Sequence, residues 1–74
     1  MFLVIELQTI NNEQVANIVT AYTNQNVAEQ KYHTILSAAA VSSLPCHAAV
    51  ILDEAGRTVK GPEFYRHEVA NANE

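Results

Sequence analysis

The chain has 74 residues and a mass of 8.1 kDa, with eight acidic against four basic residues, a net charge of −4 and an apolar share of 49%. A chain this short makes one domain and hides only ~60% of its unfolded surface, so some of that hydrocarbon is expected to meet a partner. The acidic balance argues against a nucleic-acid backbone as the main partner, which would need a concentrated basic face, and no apolar run approaches the ~20 residues that span a bilayer.

In chain order, residues 2–10 read as a first strand, because β-branched and aromatic residues dominate and Leu3, Ile5 and Leu7 alternate with Phe2, Val4 and Glu6. Asn11-Asn12 fits a hairpin turn, since asparagine tolerates positive φ. Residues 14–23 return as a second strand with Ala16, Ile18 and Tyr22 on one face and Val15, Val19 and Ala21 on the other. The long helix is expected over 26–43, capped by Asn26 with Glu29 reaching back to it and stopped by Leu44-Pro45. A third, almost wholly apolar strand covers 47–53. Asp53-Glu54-Ala55-Gly56 turns the chain into a fourth at 57–60, which Gly61-Pro62 interrupts and 63–67 resumes as an edge. Residues 1–68 form the domain, and 69–74 have nothing to bury and make a frayed tail.

The fold class is therefore α+β: a small antiparallel sheet in ββαββ order packed on one long helix and completed by homo-oligomerisation. One helical stripe, Ala28, Tyr32, Ile35, Leu36, Ala39 and Ser43, is an ordinary core face. Val27, Lys31, Thr34, Ala38 and Val41 line a second side with mostly small or β-branched residues, and Val27, Thr34, Ala38 and Val41 are the candidate interface. The sheet offers another. One helix covers one face, which leaves the opposite one, carrying some of Phe2, Val4, Val15, Val19 and Ile51, open to water unless a copy of the chain covers it. A single cysteine allows no internal disulfide and suits a reducing compartment. The N-terminus lacks the basic flank and cleavage site of a signal peptide, so the expected location is the cytosol.

Two clusters hold most of the chemically active side chains. Lys31-Tyr32-His33 lies early in the helix, and Phe64-Tyr65-Arg66-His67 follows Arg57 and Lys60 near the C-terminus. Cationic groups beside aromatic rings suit a planar anion such as a nucleotide, the rings stacking and the cations donating to phosphate. The candidate ligand-binding residues are accordingly Lys31, Arg57, Lys60, Phe64, Tyr65, Arg66 and His67. The plain alternative is that Tyr32 is core and the charged groups are solvated. Cys46 and His47 are adjacent and point to opposite faces of a strand, a poor geometry for metal chelation, and there is no glycine-rich phosphate loop, so neither metal nor cofactor is expected.

The run Ala28-Glu29-Gln30-Lys31-Tyr32-His33-Thr34-Ile35-Leu36-Ser37-Ala38-Ala39-Ala40-Val41-Ser42, with His47-Ala48-Ala49-Val50 and Tyr65-Arg66-His67-Glu68, resembles a family of small uncharacterised proteins encoded in phages and prophages of Firmicutes. That resemblance implies an oligomeric protein made during infection, in the cytosol of the host cell. It transfers no catalytic residue. With it, the expected function is a non-enzymatic homo-oligomer that holds a small anionic ligand, such as a nucleotide immune signal, at a subunit interface and so counters host defence. The alternative is a protein-interaction module, either a virion or assembly component or an inhibitor docking a host enzyme, with a small hydrolase using His33 or His67 a distant third.

Overall fold

The computed structural model describes residues 1–11 and 14–67. Strands β1 (Phe2–Asn11) and β2 (Gln14–Tyr22), helix α1 (Gln25–Ala40) and strands β3 (Cys46–Asp53) and β4 (Thr58–Arg66) follow in that order. They form a small α+β fold, with four antiparallel strands in the order β2-β1-β3-β4 and α1 on one face. The expected turn residue Asn12 and the tail 69–74 lie outside the described residues. Among the described residues no helix is long and apolar enough to cross a membrane.

Register decides which residues meet the helix. Val4 lies between Thr20 and Ile51, and Glu6 between Ile18 and Ala49, so the even residues of β1 and β2 and the odd residues of β3 share the helix side. Val4, Ala49 and Ile51 are buried there against Ala28, Tyr32, Ile35 and Ala39, with Phe2, Tyr22, Leu36 and Val59 at the fringe. Phe2, Val4 and Ile51 thus belong to the covered face, whereas Val15 and Val19 are on the open one at 58% and 54% exposure. Alternation could not tell these faces apart, because both sides of β1 and β3 begin apolar and a one-residue shift of register exchanges them.

Helix α1 starts and ends earlier than the sequence suggests. Asn24, not Asn26, is the cap: its Oδ1 accepts from the backbone N–H groups of Asn26 (2.8 Å) and Val27 (3.2 Å). Both asparagines offer the same chemistry, and the point where the chain leaves β2 decides between them. Glu29 consequently accepts from the Gln25 side chain rather than closing a capping box. At the far end the helix stops at Ala40, because Ser42 Oγ accepts from Leu44 N–H at 3.1 Å and offers the backbone a local alternative to another turn. Ser43 therefore leaves the core stripe and is exposed.

β4 runs through Gly61-Pro62 instead of breaking there. Three residues of β4 span the distance covered by two of β3, since Ala49 pairs with Glu63 and Ile51 with Lys60. The result is a bulge in an edge strand, where proline costs no ladder bond. Gly61 has φ +84°, and a Cβ on it would stand 2.8 Å from the Tyr32 hydroxyl and 3.1 Å from the Ala49 carbonyl oxygen. The preceding turn closes on Asp53, whose Oδ1 accepts from the N–H groups of Ala55 and Arg57, and Gly56 supplies its left-handed residue at φ +87°.

Candidate functional site

The bulge pushes Pro62 and Glu63 toward the helix and leaves an open groove of about 760 Å³ between α1 and β4, within the range of small-molecule sites. His33, Leu36, Ser37 and Ala40 line one wall; Pro62, Glu63, Phe64 and Tyr65 line the other. The Tyr32 hydroxyl donates to Glu63 Oε1 at 2.6 Å and ties the two walls together. Burial, then the Glu63 carboxylate, push the Tyr32 phenol well above its ordinary value of 10.0, so it stays a donor throughout the physiological range. The His33 ring stands edge-on to Tyr32 with centroids 5.3 Å apart. At the rim, the guanidinium carbon of Arg66 lies 5.6 Å from the centroid of Phe64, a cation–π arrangement that leaves most of the ring exposed.

The structure brings together only part of the expected ligand cluster. Phe64 and Tyr65 line the groove; Arg66 does not line it but stands over Phe64, at the register position opposite Cys46. His67 closes the end of the helix: its Nε2 bonds to the Ala39 carbonyl oxygen at 2.8 Å, and its backbone N–H donates to Pro45 O at 2.9 Å. Lys31 lies on another flank of α1, half-buried and close enough to Glu6 on β1 for its charge to favour that carboxylate. Arg57 is in the β3–β4 turn, with its side chain 83% exposed and 3.7 Å from Asp53. Lys60 pairs with Ile51, on the far side of the bulge from Phe64. Thr34, Ala38 and Val41 share a shallow exposed depression with Gln30, His33 and Ser37, and Val27 is exposed one turn earlier.

His33 and Ser37 line the groove although neither is among the ligand-binding residues expected from the sequence. With Ala40 they repeat at spacings of four and three, a stripe flanking the core that helical periodicity alone could have singled out. Pro62 and Glu63 carry no such signal, because only the bulge in β4 aims them at the helix.

A second polar cluster lies inside the fold. His47 is buried, and its Nε2 meets Glu6 Oε2 at 2.5 Å across β1 and β3, while Gln8 donates to the same oxygen at 2.9 Å. Burial pushes the Glu6 carboxyl up, but the hydrogen bonds from Gln8 and His47 and the charges of His47 and Lys31 outweigh it and hold the group below the ordinary 4.5. The buried His47 Nδ1 has no hydrogen-bond partner among the described residues.

No protein-family model, curated protein or solved structure matches this chain.

Proposed function

We propose that this chain is a non-enzymatic, homo-oligomeric binding protein that holds a small planar anion, of the nucleotide-signal class, in the α1–β4 groove and withdraws it from solution. The observation that carries this reading is Arg66 standing over Phe64 at the rim of a groove already lined by Tyr65, His33 and Ser37. The rings supply stacking faces, His33 and Ser37 supply hydrogen-bonding groups, and Arg66 supplies the charge. Polarity orients the ligand. Glu63 is an anion in the same wall, so the phosphate end belongs toward Arg66 and the base toward Leu36 and Pro62. One cation is thin provision for a phosphate-bearing ligand, and a neighbouring copy would add a second. The resemblance to small phage proteins makes a signal of host defence the natural cargo.

Calorimetric titration with a panel of mononucleotides and cyclic dinucleotides tests this. The parent is expected to retain at least one of them, and heating should release it chemically intact. Arg66→Ala is expected to weaken binding by ten- to a hundredfold, as the loss of one charge-assisted hydrogen bond would. Lys31→Ala should leave affinity unchanged, because Lys31 lies on a different flank of the helix. If nothing is retained, a protein-interaction module becomes the better reading, and the uncovered sheet face is the observation in its favour.

A further inference from the structure

The face of the sheet turned away from α1 is apolar across β1, β2 and β3. Since Val4 and Ile51 are buried under the helix, alternation turns Leu3, Ile5, Leu7, Val19, Val50 and Leu52 to the other side. No element among the described residues packs on them. We infer that this face, rather than the helix stripe containing Ala38 and Val41, is where two copies of the chain associate, sheet against sheet. The inference rests on the reading of the protein as a homo-oligomer and names the surface.

Four observations select a second copy as the occupant. The first is area. Four strands at ~4.8 Å spacing, with some nine residues at ~3.3 Å rise, form a slab of ~19 by ~30 Å, or ~600 Å² before side-chain relief is counted. Stable dimers bury ~800 Å² per partner, so the face is of the right size when used whole. The second is charge. The chain carries −4, yet Glu6 and Glu63 are on the helix side, Glu29 is on α1, and Asp53 and Glu54 are at the β3–β4 turn. No acid among the described residues stands on the open face, so two copies can meet there without opposed carboxylates. The third is pattern: leucine, isoleucine and valine occupy the central strands β1 and β3, while Thr9, Asn17, Thr58 and Arg66 lie toward the margin beside Val15 and Val19 of β2, an apolar centre with a mixed rim.

The fourth is the smallness of the core. Among the described residues only seven hydrophobic residues are buried, and three of them are alanine. A fold that depends on a second apolar layer needs its cover present whenever it folds, and another copy of the chain is the one partner always at hand. Pairing two β2 edges would lengthen the sheet but leave this face in water, so edge association does not substitute for it.

Sedimentation velocity from micromolar to millimolar concentration tests the inference, with helical circular dichroism as the folding control. The parent should sediment as a particle of at least twice 8.1 kDa. Leu7→Lys is chosen because Leu7 is already 38% exposed and does not touch the helix-side core. It should keep its helical spectrum and raise the dissociation constant on the order of a hundredfold, while Ala38→Arg leaves association as in the parent. Should Leu7→Lys lose its spectrum, Val19→Lys on the peripheral strand β2 is expected to weaken association by at least tenfold while folded. A parent that stays at 8.1 kDa throughout would overturn the homo-oligomer reading itself. A parent that associates but is dissociated by Ala38→Arg and not by the sheet variants would overturn this inference alone.

Discussion

The carboxylate of Glu6 and the imidazole of His47 meet at 2.5 Å beneath the helix, on neighbouring strands, with side chains only 14% and 6% exposed. Because Glu6 titrates below its ordinary value in the folded state, it adds stability at pH values above the unfolded carboxylate range, and that stability is lost as pH falls through the folded value. Acid titration of the parent and of Glu6→Gln, followed by circular dichroism, should therefore diverge below pH 4.5, with the parent losing the more stability relative to its own neutral value. At neutral pH Glu6→Ala should cost about 3 kcal/mol, since it strands a buried histidine.

Tyr32 gives the opposite sign. Its folded value lies above the ordinary 10.0, so its contribution is complete below that pH and disappears as pH rises toward the folded value. The chain has three tyrosines. Absorbance titration at alkaline pH should show one phenol ionising only together with loss of helix, and Tyr32→Phe should abolish that late step. The same variant should lose about 1 kcal/mol at neutral pH, the worth of the bond to Glu63.

The two glycines separate backbone strain from crowding. Both have positive φ, but a Cβ at Gly56 meets nothing within 4 Å, whereas one at Gly61 strikes the Tyr32 hydroxyl and the Ala49 carbonyl. Gly56→Ala should cost about 1 kcal/mol in urea denaturation, the penalty of a left-handed alanine. Gly61→Ala should cost about 3 kcal/mol, because the bulge must also shift off Tyr32.

Capping supplies a local test of where the helix begins. Asn24→Ala removes the acceptor for two free N–H groups and should destabilise the protein by about 1 kcal/mol. Asn26→Ala, already inside the helix and exposed, should be neutral or slightly stabilising, since alanine is the better helix former. Thermal melts of the two variants give the comparison directly.

Element types and order were legible in the chain because they rest on local physics: β-branched alternation in β1 and β2, an apolar run in β3, Pro62 confining β4 to an edge, and the 3.6-residue repeat of Ala28, Tyr32, Ile35 and Ala39. Tertiary structure decided what depends on register. Phe2, Val4 and Ile51 went under the helix and Leu3, Ile5 and Val50 away from it, a choice that strands apolar on both faces cannot encode by alternation. It also divided the basic cluster. Lys31, Arg57, Lys60 and Arg66 look like one pool of charge along the chain, but helix phase and the length of β4 carry them to separate places and leave Arg66 alone beside the groove. The groove, and the Glu6–His47 pair, exist only because a bulge in β4 and the antiparallel pairing of β1 with β3 bring together residues far apart in sequence, and no local propensity specifies such meetings.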